Sequence, residues 1–147
     1  MLFPTEYTHP GGPTPHGYRY SDESCDEGCD RSRAVTRPPR PPGKELVVHH
    51  GAVASGNLLV RDAEFRDKMV EEHGVICFEM EAAGLVGHFP CLAVRGICDY
   101  CDTHKSKGWQ GYAAMAAAAY AKQLLGKIWA RDVEAQKRLA EVLPGGQ

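Results

Sequence analysis

The sequence lacks the features that mark several large functional classes. It holds no run of about 18 apolar residues, the length a membrane-spanning helix requires. It has no excess of one charge, since 17 Lys and Arg face 19 Asp and Glu for a net −2. That balance excludes a strongly basic module that binds nucleic acid by neutralising phosphates. The opening residues, MLFPTEYTHPGG, carry neither a basic n-region nor a long apolar h-region, so no secretory signal is expected and the chain reads as cytoplasmic. Aliphatic residues are also scarce at first: positions 1–43 hold Met1, Leu2 and Val35, but eight of the ten prolines. Such a stretch cannot bury enough apolar surface to offset its ordering entropy, so 1–43 is expected to be a disordered Pro/Gly-rich linker or loop.

With 147 residues, 43% of them hydrophobic, the chain has material for one globular domain. Of the six cysteines, Cys25 and Cys29 sit in the polar N-terminal stretch. Cys77, Cys91 and Cys98 lie in apolar runs, where cysteine behaves as a small hydrophobe. Free thiols are therefore expected rather than a disulfide framework. A zinc site built from Cys25, Cys29, Cys98, Cys101 and His104 competes with better uses of Cys98, and neither a metal nor a cofactor is expected.

From Lys44 the pattern changes. Residues 45–50 read as a strand, with one histidine of His49-His50 packed and the other exposed. Ser55-Gly56-Asn57 supplies turn chemistry after a second short apolar piece. Phe65, Met69 and Val70 share one face of a helix over 62–73, closed by Gly74. Val75–Phe78 reads as a strand running into a helix over 79–86, and 91–98 as a further strand. Continuous apolar strands between helices argue for a parallel sheet covered on both faces. Residues 109–129 form an Ala-rich helix with Tyr112, Ala116, Tyr120, Leu124 and Ile128 in one stripe and Trp109 and Trp129 as end anchors. A polar extension, 130–147, follows. Two or three strands are few for such a sheet, so the chain either pairs with another copy or belongs to a larger fold.

In parallel α/β sheets ligands bind outside the carboxyl ends of the strands. Two acid clusters fall there, Glu79-Met80-Glu81 and Arg95-Gly96-Ile97-Cys98-Asp99. Both have structural readings as well, because a glutamate suits a helix start and Asp99 suits a turn. The loop 102–108 is read as solvated more readily than as a lid.

The strings VHHGAVASGN at 48–57, CFEMEAAGL at 77–85, VRGICDYCDTHK at 94–105 and WQGYAAMAAAAYAKQLL at 109–125 shift the balance. In this order they resemble the nucleoside phosphorylase superfamily, nearest to purine nucleoside phosphorylases and methylthioadenosine/adenosylhomocysteine nucleosidases, in the form found in fungal multidomain proteins. The resemblance covers 44–129 and implies the C-terminal half of a three-layer αβα sandwich.

It also implies roles. Glu81 would accept both ribose hydroxyls, Met80 would floor the sugar, and Asp99 would protonate N7 of a departing purine. Glu79, Arg95 and Cys98 would support these groups, and Ser55 and Gly56 would border the base pocket. The implied partner is a purine nucleoside, with water or phosphate as acceptor. A homo-oligomer is expected, since the family is oligomeric and open sheet edges favour association. The sequence departs from the family in having Cys98 where a serine is usual, and Leu58-Leu59-Val60 where an aromatic stacks on the base. Residues 1–43 match neither the family's phosphate loop nor its water-activating glutamate. A non-catalytic nucleoside-sensing or interaction module is the alternative.

Overall fold

The computed structural model describes residues 2–10, 28–88, 91–105 and 107–136. It is a mixed α/β arrangement around a two-stranded parallel sheet. Strand β1 (Ala52–Ser55), helix α1 (Ala63–His73) and strand β2 (Val75–Glu79) form a strand–helix–strand unit, followed by helices α2 (Gln110–Leu125) and α3 (Ala130–Glu134). Short 3-10 turns cover Arg31–Arg33, Ala82–Gly84 and Lys107–Trp109. No helix among the described residues is long and apolar enough to cross a membrane.

Local chemistry accounts for α1. The Asp62 carboxylate accepts the Glu64 and Phe65 N–H groups at 2.9 and 3.1 Å, which satisfies two donors at the helix start. Gly74 ends it at φ 63°, a left-handed conformation that glycine reaches without steric cost. The helix lies beside β2 through Phe65 and Phe78, with ring centroids 6.3 Å apart. None of its residues is fully buried.

The strands pair Ala52 with Val75, Val53 with Cys77, Ala54 with Phe78 and Ser55 with Glu79, with a register irregularity after Ala52. Helix α2 packs differently, at Gly96. A Cβ there would lie 1.9 Å from the Ala113 carbonyl oxygen, and Ala113 is the buried residue of α2. The backbone at Gly96 therefore abuts the helix, a contact that a larger residue would not permit.

Several expectations are corrected. Residues 45–50 form no strand; the pairing belongs to Ala52–Ser55, and both His49 and His50 are exposed. The helix expected over 79–86 is reduced to the turn Ala82–Gly84. Residues 91–98 carry no ladder pairing among the described residues, and Cys91 is exposed rather than core. Gly126 caps α2, so the helix does not reach Trp129, and the extension is the separate α3. Its expected remainder, 137–143, lies outside the described residues.

The N-terminal stretch also departs from a free linker. Phe3 and His9 are buried, and Val35 N–H donates to the Leu2 carbonyl at 2.8 Å. Residues 11–27, with Cys25, lie outside the described set. Among the described residues the buried apolar set is small, with Phe3, Val60, Val75 and Ala113. Leu46, Leu58, Ile76, Leu92, Ile97 and Met115 are exposed, as are both tryptophans expected as anchors. Along the expected α2 stripe, Ala116, Tyr120 and Leu124 are half-buried, while Tyr112 and Ile128 face solvent.

Candidate active site

β1 ends at Ser55 and β2 at Glu79, and these two residues are register partners. The pairing continues past the strands, where Gly56 N–H donates to the Glu79 carbonyl at 3.2 Å. The Ser-Gly pair and the Glu-Met-Glu string thus share the carboxyl edge of one parallel sheet, where such folds bind ligands.

Glu79 is buried, and its Oε2 accepts the N–H groups of Glu81 and Ala82, each at 2.9 Å. Burial opposes its ionisation. The Ser55 hydroxyl, the Ala82 and Glu81 amides and the Arg95 charge outweigh that cost and hold the carboxyl below its usual range. A charged acceptor closing two amides fixes the backbone of the turn. The turn presents Met80 and Glu81 outward, with the Glu81 side chain 68% exposed.

Glu81 Oε2 lies 2.9 Å from Arg95 Nη1 and accepts Met80 N–H at 3.2 Å. The ion pair joins the two motifs across the sequence. A cleft of about 230 Å³ lies alongside, with Ser55 and Glu79 in its lining and Val53, Val86 and Leu92 among its apolar walls. A larger hollow, of about 440 Å³, is lined by residues 126–130 and carries no carboxylate.

The second acid is held from three sides. Asp99 Oδ1 accepts Cys101 N–H at 2.9 Å and lies 3.4 Å from Lys105 Nζ, while the Cys98 thiol donates to Oδ2 at 3.5 Å. Cys98 therefore acts as the hydrogen-bond donor to this acid. Burial and the Asp99 charge raise the Cys98 thiol, and the same causes push Cys101 up to about 11. A raised thiol is a poorer nucleophile than a free cysteine, because less of it is present as thiolate. Among the described residues no group of three His, Cys, Asp or Glu is placed to hold a metal ion.

The loop after Asp99 differs from the expected solvated one. Asp102 and His104 are buried, and Asp102 Oδ1 accepts His104 N–H at 2.9 Å. Cys101 takes φ 55°, a strained value for a residue with a side chain. Arg66 Nη1 on α1 donates to the Tyr100 carbonyl at 2.7 Å, tying the loop to the first helix. The sequence offered His104 as a zinc ligand and 102–108 as a solvated loop or lid, but not Lys105 as a partner of Asp99 or Asp102 and His104 as a buried pair. The signal was two acids followed by two bases, Asp99, Asp102, His104 and Lys105, directly after the strand-end motif.

No family model and no solved structure matches the chain. Among characterised relatives, a nucleotide-binding leucine-rich repeat (NLR)-like protein of Hyaloscypha variabilis is 44% identical over 86% of this chain and 13% of its own length. ATP nucleosidase Cap17 of Escherichia coli is 34% identical over 58% of this chain and 18% of its own. A death domain-containing ATP nucleosidase of Amphimedon queenslandica is 33% identical over 52% of this chain and 16% of its own. The chain is nucleosidase-like in sequence. It spans between an eighth and a fifth of the length of these relatives.

Proposed function

We propose that residues 44–129 are the C-terminal half of a phosphorylase-type αβα domain that breaks the N-glycosidic bond of a purine nucleoside or of its phosphate esters. The observation that carries this reading is the Arg95–Glu81 ion pair at 2.9 Å, which brings the Glu-Met-Glu turn against the segment ending in Asp99. The names of the relatives, two of them ATP nucleosidases, support ATP as the first substrate to test.

In this reading Glu81 takes the ribose hydroxyls. A carboxylate has two acceptor oxygens, and Arg95 Nη1 holds one of them at 2.9 Å. Met80, exposed on the same turn, packs beneath the sugar. Bond cleavage leaves positive charge on the ribose and drives electrons into the base. Glu81 lies near the first, and Asp99 donates a proton to N7 and so relieves the second. Oδ1 is engaged by Cys101 N–H and Lys105, which leaves Oδ2, contacted by the weak Cys98 donor, as the oxygen assigned to the transfer. Ser55 and Gly56 border the base, and Glu79 holds the turn.

Water is the acceptor favoured by the relatives' names, since a nucleosidase hydrolyses. The test is release of free adenine from ATP and from adenosine, each with and without phosphate, by the chain and by Asp99→Asn. Release that needs no phosphate and disappears in Asp99→Asn supports hydrolysis with Asp99 as acid. Phosphate-dependent release makes it a phosphorylase.

A further inference from the structure

His104 is enclosed by rings from the far end of the sequence. Its side chain is 1% exposed. The Phe3 ring stacks on it with centroids 4.3 Å apart and planes 25° from parallel, and Tyr7 follows at 5.5 Å and 15°. His9 lies at 5.7 Å, and its backbone N–H donates to Thr103 Oγ1 at 2.8 Å. A second tie comes from Thr5, whose hydroxyl donates to Asp67 on α1 at 2.6 Å.

We infer that residues 2–10 form a strap over the 99–105 loop, and that Phe3 and His104 are positioning residues for Asp99. Two groups hold Asp99 Oδ1, and both belong to this loop. Cys101 donates its N–H from a strained backbone at φ 55°, and such a conformation persists only where its surroundings over-determine it. Lys105 reaches the same oxygen from the residue next to His104. Clamping His104 between Phe3 and the buried Asp102 therefore fixes both ends of the loop that grips the acid. Phe3 stacks on His104 and lies 5.0 Å from Tyr7, and its effect on Asp99 runs through His104. This inference rests on the reading of Asp99 as the acid, but the strap can be tested without it.

The experiment is alkylation of the full chain with iodoacetamide, read cysteine by cysteine by mass spectrometry, alongside adenine release. Cys98 and Cys101 are half-buried in the strapped region, whereas Cys91 is exposed and serves as internal control. In Phe3→Ala, Cys98 and Cys101 are expected to react about tenfold faster relative to Cys91, the scale of a lost aromatic stack that opens a segment locally. The kcat for adenine release falls with KM unchanged, and Phe3→Tyr restores both. A Phe3→Ala chain with unchanged thiol ratios overturns the strap. So does one in which half-buried Cys77 on β2 rises together with Cys98, since the effect is then loss of the fold. If the parent chain releases no adenine, the assigned role of Asp99 fails, while the thiol ratios still decide whether the strap exists.

Discussion

The carboxylate of Glu79 accepts the backbone N–H of Glu81 at 2.9 Å, so the first acid of the Glu-Met-Glu string builds the turn on which the second is displayed. The two glutamates are separated by Met80 alone and do opposite things. One is buried and spends an oxygen on amides, whereas the other stands in solvent beside an arginine.

Glu79→Ala leaves the amides of Glu81 and Ala82 without their acceptor and is expected to cost about 2 kcal/mol, the scale of a hydrogen bond to a charged group. Glu79→Gln keeps one acceptor oxygen and costs about half as much. The pH dependence follows from the lowered Glu79 value, whose ordinary reference is 4.5. Stability from this group is complete above that value and is lost as pH falls through the folded-state value. Urea titrations between pH 6 and 3, ranges of about that width, are expected to show a shallower acid limb in Glu79→Gln than in the parent.

Arg95→Met separates stability from activity. The pair with Glu81 is exposed, at 40% and 68% for the two side chains, so its removal is expected to change stability by less than about 0.5 kcal/mol. Adenine release is expected to fall about tenfold in kcat/KM, because Glu81 loses the partner that orients it for the ribose. Parallel thermal melts and kinetics check both halves of this expectation.

Gly96→Ala introduces a Cβ 1.9 Å from the Ala113 carbonyl oxygen and forces α2 away, at a cost of about 3 kcal/mol. Gly111, inside α2, has nothing within 4 Å of the same added atom. Gly111→Ala is therefore expected to stabilise by about 0.5–1 kcal/mol through helix propensity. Chemical denaturation of the two variants should move in opposite directions.

His104 supplies a second pH dependence of the fold. Burial lowers its value below 6.5 and the neighbouring His9 acts in the same direction, while Asp102 opposes them. The unfolded chain therefore takes up a proton near pH 6.5 that the folded chain resists, and stability falls as pH drops below that point. His104→Phe keeps a ring against Phe3 without a titrating nitrogen. Its Tm is expected to change less than that of the parent between about pH 7.5 and 5.5.

Short-range chemistry was legible in the sequence. The helix over 62–73 with its Gly74 stop, the strand at 75–78 and the long Ala-rich helix are all present, within a few residues at their ends. Each is written in caps and spacing close to the residues concerned. What misled was sheet pairing. Residues 45–50 and 91–98 are as apolar as strands, yet a strand exists only where a neighbour completes its hydrogen bonds, and neither has one among the described residues. The acids of the site were legible as strings. The knot of Phe3, Tyr7, His9 and His104 was not, because a contact spanning about 100 positions leaves no trace in local composition, and a proline-rich stretch reads as free until its aromatic residues find a partner.

Adenine release from ATP in phosphate-free buffer, compared between the chain and Asp99→Asn, tests the role of Asp99 most directly. The prediction is steady release by the chain and a loss of at least about 100-fold in the variant, the scale of removing a general acid, with ATP binding retained in both. Equal release by the two proteins, or binding of ATP without release by either, would contradict it.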